Sequence, residues 1–303
     1  MYSSHQFAKM LATPSPTPSD EGCNLIRAYH VSHPSRHEFT NFDNLKDFLE
    51  EKAAALINRS GPQYVAIVNF TEDDLLKLES SGLRRELPGF RVLLDEENSI
   101  TILKLLPGIP HEVAKVIFEE IFHGERARLG LPRNIFVPTG SGRYHFSNEL
   151  SKEPDASYIP QTRQGPDHFP SFIVEVGVSQ SLLQLRQDAR LWLEKTNGET
   201  KVVLLIFLNV ATSTLTIERW QHATSPPPRE TRSGRLFVPE KVQLVTYDNN
   251  TQQVTGDPLI LPINLLLDVV PSHVPSSEIS FGRPELLSYG VDLFMGIYGR
   301  SRR

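Results

Sequence analysis

FIVEVGVSQSLLQLRQDARLWL, residues 172–193, is the stretch on which the reading of this chain turns. It begins as a strand of the kind buried on both faces, apolar throughout except for one carboxylate, Glu175. Ser181-Leu182-Leu183-Gln184 then has the spacing of a capping box. The helix that it opens runs to Thr196 and stops at Asn197-Gly198. A second strand that reads as fully buried, KVVLLIFLNV, follows at 201–210.

Working backwards, FRVLLDEENSITILKLL (90–106) reads as two strands around Glu96-Glu97-Asn98. Pro107-Gly108 ends the hairpin, and Pro110 opens a helix, HEVAKVIFEEIFHGERARLG, with Gly124 or Gly130 as its stop. NIFVP, GRYHFSNEL and DASYIP each read as a strand. Further towards the N-terminus lie an amphipathic helix (42–57), a strand (63–70) and a second helix closed by Gly82. Residues 1–22, rich in Ser, Thr and Pro, read as a disordered tail. Beyond residue 210 come TLTIERW, a Pro-rich surface loop at 224–234, RLFVPEKVQLVTY, INLLLDVV and an amphipathic final helix, PELLSYGVDLFMGIY. The order predicts an α/β (α+β) chain, a mixed sheet with helices on its faces. Its expected divisions are the tail, a small α/β appendage at 23–88 and a core domain at 89–303.

Composition narrows the function classes. Of 303 residues, 39% are hydrophobic and 22% charged, a globular balance with no apolar run long enough to span a bilayer. The N-terminus lacks the apolar segment of a secretory signal, so the expected address is intracellular, nuclear or cytoplasmic. The lone Cys23 excludes an internal disulfide framework and a cysteine-rich zinc site. A net charge of −5 argues against a non-specific nucleic-acid coat, but not against a locally basic groove.

Glu175 is the residue that needs a reason, because a buried carboxylate is costly unless paired, hydrogen-bonded or bound to a metal. Asp155, in Lys152-Glu153-Pro154-Asp155, stands at the start of the preceding strand, one short connection away. Two carboxylates on neighbouring strands make a hard oxygen site for Mg²⁺, which would polarise a phosphodiester and help generate hydroxide. The plainer alternative pairs Glu175 with Arg186, Arg190 or another cation and leaves Asp155 capping a turn.

Pro154-Asp155, Glu175 in its apolar strand, Ser179-Gln180-Ser181 and a helix containing Asp188 together resemble the PD-(D/E)XK nuclease-like superfamily. The pattern is nearest to its Uma branch of bacterial endonucleases and to a group of fungal relatives. The resemblance covers KEPDASYIP, the 170–193 stretch and KVVLLIFLNV, and extends over about residues 90–298. It implies a restriction-endonuclease-like core in which Asp155, Glu175 and a first-helix acid, Glu112, hold Mg²⁺ or Mn²⁺. The implied activity is hydrolysis of nucleic-acid phosphodiester bonds.

One position departs from the pattern. The second acid is usually followed two residues later by a lysine on the same strand face; here that residue is Gly177. Arg186 and Arg190 lie four apart on the following helix, and Arg190 is the candidate to supply the missing cation. An arginine stabilises charge but does not act as a base. Glu112 has a second explanation, since the helix dipole favours an acid in the first turn, and Glu120 is a further candidate. His111-Glu112-Val-Ala-Lys115 is not a zinc-protease motif, and Gly140-Ser-Gly-Arg143 is too short for a phosphate loop. Arg126, Arg128, Arg133 and Arg143, with Tyr144 and His145, are candidates for a phosphate-tracking groove. Two functions therefore compete: a Mg²⁺-dependent nuclease, and a fold that has lost catalysis and serves as a binding or interaction module.

Overall fold

The computed structural model describes residues 25–58, 60–106, 108–163, 165, 167–178, 181–223 and 238–299. The expected tail, Cys23 and the 224–234 loop lie outside them. The chain is mixed α/β, with two large mixed sheets, a two-stranded ribbon and helices on the sheet faces. No described helix is long and apolar enough to cross a membrane.

The first sheet has the order β1 (Arg36–Glu38), β2 (Tyr64–Val68), β4 (Ile100–Leu105), β3 (Phe90–Asp95), β7 (Leu150–Lys152), β6 (Tyr144–His145). Helix α1 (Phe42–Ile57) starts where the Asn41 side chain accepts the Asn44 N–H at 2.9 Å. Helix α2 (Glu72–Ser80) starts in a reciprocal Thr71–Asp74 capping box. Leu45, Leu49, Leu75 and Leu78 of these helices bury one face of the sheet with Val65, Ile67, Val92 and Leu103. The hairpin β3–β4 pairs with β2, and β7 pairs with β3, so this sheet runs across the expected boundary at residues 88 and 89. The N-terminal segment supplies two of the six strands of that sheet. GRYHFSNEL is two strands, because the Ser147 hydroxyl accepts the N–H groups of Glu149 and Leu150 and turns the chain.

The second sheet has the order β13 (Gln253–Thr255), β12 (Pro239–Asp248), β11 (Thr214–His222), β10 (Val202–Asn209), β9 (Phe172–Val178), β8 (Ala156–Pro160), β5 (Phe136–Pro138). Strands β9 and β10 are parallel and joined through helix α4 (Leu182–Lys195), the connection that a parallel pair requires. Val174 and Val176 point to the face covered by α3 (Ile109–Arg128) and α5 (Arg283–Tyr298), in one core with Phe118, Phe122, Tyr289 and Leu293. Ile173, Glu175 and Gly177 point to the opposite face, under α4. The expected capping box at Ser181 does not form. Its backbone sits at φ −95°, ψ 6°, and its hydroxyl turns back to the Val178 carbonyl at 3.5 Å.

The free face of the first sheet, with Tyr64, Ala66, Leu93 and Ile102, packs on Leu191 of α4. The α4 side of the second sheet therefore looks into the first sheet. Glu175 lies in that seam.

Candidate functional site

Strand register brings the seam's charged groups together. Ala156 pairs with Val174 across the antiparallel β8–β9 ladder, so Asp155, one residue earlier, stands opposite Glu175. In the first sheet Tyr64, Lys104 and Arg91 form one cross-strand row. That row meets the two acids. Lys104 Nζ lies 2.5 Å from Asp155 Oδ2 and 2.6 Å from Glu175 Oε2. Asp155 Oδ2 also accepts the Val176 N–H at 2.8 Å, and His111 Nε2 of α3 lies 3.1 Å from it. Arg91 Nε is 3.4 Å from Asp155 Oδ1, too poorly aligned for a hydrogen bond.

A second group adjoins the first through Glu175, whose Oε1 accepts the Trp192 indole N–H at 2.8 Å and stands 3.5 Å from Lys152 Nζ. Lys152 is 2.9 Å from Asp188 of α4. Asp188 takes one phenol on each oxygen, Tyr29 at 2.7 Å and Tyr64 at 2.6 Å. The side chains of Lys104 and Lys152 are 2% exposed, and those of Asp155, Glu175 and Asp188 not at all. Gln63 ties the same seam at the main chain, accepting the Val178 N–H and donating to the Leu105 carbonyl.

Charge balance explains how this survives burial. Three carboxylates face two ammonium groups, with His111 and Arg91 beside Asp155. Burial opposes ionisation of Asp155, but Lys104, His111 and Arg91 hold its carboxyl well below the ordinary value. Burial pushes the Glu175 carboxyl up, against the pull of Lys104 and Lys152. Burial also opposes the charge on Lys104, Lys152 and His111, yet the facing carboxylates raise all three. The phenols of Tyr29 and Tyr64 are driven up by burial and by Asp188, so they remain donors. A buried ionic group of this kind gives little net stability over an apolar one, but removing a single member is expensive.

The two acids come together as the sequence predicts, on neighbouring strands. The space between them does not suit a divalent ion as folded, because Asp155 Oδ2 and Glu175 Oε2 are bridged by a protein ammonium and closed from solvent. Among the described residues no group of three or more His, Cys, Asp or Glu side chains is gathered for a metal. Glu112 stays outside. Its carboxylate, 46% exposed, bonds His111 Nδ1 and Lys115, and the His111 bond does most to bring it down to about 2. His111, from the same helical turn, is the residue that reaches Asp155. Glu120 is exposed.

The cation does not come from α4. Arg190 is exposed on its outer side, its guanidinium over the Trp220 ring at 5.6 Å, and Arg186 pairs with Glu218. A helix packed directly over β9 has no room to return a long side chain beneath itself. Gly177 shows how tight the fit is, since a Cβ there would lie well inside van der Waals contact of Leu185 and Ser181. The expected basic groove is also dispersed. Arg126 donates to the Leu131 carbonyl, Arg128 pairs with Glu125, and Arg143 pairs with Glu72.

Sequence reasoning missed Lys104, Lys152, Tyr29, Tyr64 and His111 as members. A signal was there for Lys104. It is the one charge in ITILKLL, a buried strand, just as Glu175 is the one charge in FIVEVGV. Lone opposite charges in two apolar strands are each other's most economical partner.

Neither a protein-family model nor a curated protein matches the chain.

Proposed function

We propose that this chain is a PD-(D/E)XK-like fold that has given up metal-dependent cleavage and works as a non-catalytic binding or interaction module. One observation carries the reading: Lys104 Nζ, from the first sheet, bridges Asp155 and Glu175 at 2.5 and 2.6 Å in a closed site. An ammonium there supplies the positive charge that a divalent ion would otherwise bring, and it is covalently part of the chain. Support for the descent comes from the strand–helix–strand order of β9, α4 and β10 and from the apposition of the two acids. Support for loss of catalysis comes from the seam itself. Lys152, the two tyrosines and Gln63 cover the ground that a phosphodiester and its metal would need.

Calorimetric titration with Mg²⁺ and Mn²⁺ tests this directly. The expected result is no saturable heat up to millimolar metal, with no divalent-dependent cleavage of DNA or RNA. Saturable binding, with cleavage abolished in both Asp155→Ala and Glu175→Ala, would establish the nuclease instead. That second reading has one observation in its favour: a lysine does stand beside both acids, from β4 rather than from the position held by Gly177.

A further inference from the structure

Residues 25–31 run across the seam beside Asp188. A helical turn at 25–28 leads to Tyr29 and to His30, whose φ of 51° reverses the chain. Ile26, Tyr29 and Val31 are buried against Tyr64, Ala66, Leu93 and Leu191, so the segment touches both the first sheet and α4. It joins no sheet. Among the described residues its main-chain bonds close within itself, from Tyr29, His30 and Val31 to Leu25, Arg27 and Ile26. Among the described residues its outside hydrogen bonds are the Tyr29 phenol on Asp188 and two from the Arg36 guanidinium to the Val31 carbonyl, beside the Tyr29–Tyr64 ring contact. The Asp155 half of the cluster, in contrast, is sealed by strand pairing on both sides.

We infer that residues 25–31 form a strap that opens as a unit of its own, and that opening admits solvent to Asp188 and Lys152 while Asp155 and Glu175 stay closed. The strap is held by side-chain packing and two side-chain anchors with no ladder bonds, so it can part from the sheet without breaking strand pairing. The inference builds on the closed cluster proposed above, yet the two fail separately. Metal binding by the wild-type chain would overturn that proposal and leave the strap as it is.

Hydrogen exchange on the full chain, with carbodiimide labelling of carboxylates read by mass spectrometry, is the test. The amides of Tyr29, His30 and Val31 are expected to exchange at least about 100-fold faster than those of β9 and β10, as a sub-global opening does. Arg36→Ala, which removes bonds at the strap's end without touching the cluster, should speed strap exchange by about tenfold or more. Asp188 should label faster in that variant by a similar factor, with Asp155 and Glu175 unchanged. Tyr29→Phe, which keeps the ring, should act in the same direction. Strap amides that exchange with β9 and β10, or Asp188 labelling that ignores both substitutions, would overturn the inference.

Discussion

Replacing Lys104 with methionine is the sharpest probe of the seam, because it keeps most of the side-chain volume and removes only the charge. Two carboxylates at 2.5 and 2.6 Å then lose the same cation. Arg91 and His111 remain near Asp155 and Lys152 near Glu175, but at 3.1 to 3.5 Å. Breaking a buried pair by removing one partner costs about 3–5 kcal/mol, and the shared geometry places Lys104→Met in that range. At about 2–4 °C per kcal/mol, the midpoint should fall by on the order of 10 °C. Urea unfolding followed by tryptophan fluorescence measures the free-energy loss, and a thermal melt followed by far-UV circular dichroism measures the midpoint. The control is the triple variant Lys104→Met, Asp155→Asn, Glu175→Gln. It keeps acceptors for the Val176 and Trp192 N–H groups, and it should recover most of the loss, since neutralising both acids together with their shared lysine leaves neither carboxylate charged without it. With Lys104 gone, both acids lose the strongest of the charges that hold them down and their pKa values rise from those in the wild type, so the variant's deficit should shrink as pH falls. A single-variant cost below about 1 kcal/mol, the worth of an exposed pair, would refute the reasoning. So would a triple variant no better than the single.

The remaining predictions concern the cluster's neighbours. His111 titrates in the fold above its ordinary value of 6.5, so its contribution is complete below 6.5 and is lost as pH rises through the folded value. The stability gap between wild type and His111→Gln should therefore narrow from pH 6 to pH 9, as guanidinium melts at each pH would record, and a widening gap would contradict it. Gly177→Ala should cost about 1–3 kcal/mol through overpacking against Leu185 and Ser181. Gly177→Lys, which places a lysine where the PD-(D/E)XK pattern that the chain resembles has one, should give misfolded or weakly folded protein rather than a nuclease, as soluble yield and a cleavage assay would show. Arg190→Ala should cost no more than about 1 kcal/mol, the scale of an exposed cation–π contact, and leave exchange at β9 unaltered.

Periodicity carried most of the element map. FDNLKDFLEEKAAALI and the 90–105 hairpin fall where their apolar spacing puts them, since one buried face dictates the pattern. The apposition of Asp155 and Glu175 was also legible, because a short connection between two strands fixes an antiparallel register. The partners were not. Lys104 is 51 residues from Asp155 and 71 from Glu175, and nothing local to ITILKLL states which sheet it will face. Which face of α4 would meet β9 was equally hidden. Arg190 and Asp188 are two residues apart and point to opposite surroundings, one to Trp220 and solvent, the other to two tyrosines and a lysine. Gly177 reads in sequence as a missing lysine. In the fold it is the clearance that lets α4 lie close over the strand.

The row Tyr64, Lys104 and Arg91 has a consequence for anyone who would cut or recombine this chain. Each half presents a surplus of one sign that the other half largely answers, with His111 of α3 adding to the lysines at Asp155. A fragment holding β8, β9 and α4 without the first sheet would leave Asp155, Glu175 and Asp188 without their lysines on the face that the first sheet covers. Grafts and truncations must therefore move the lysines and carboxylates as one set.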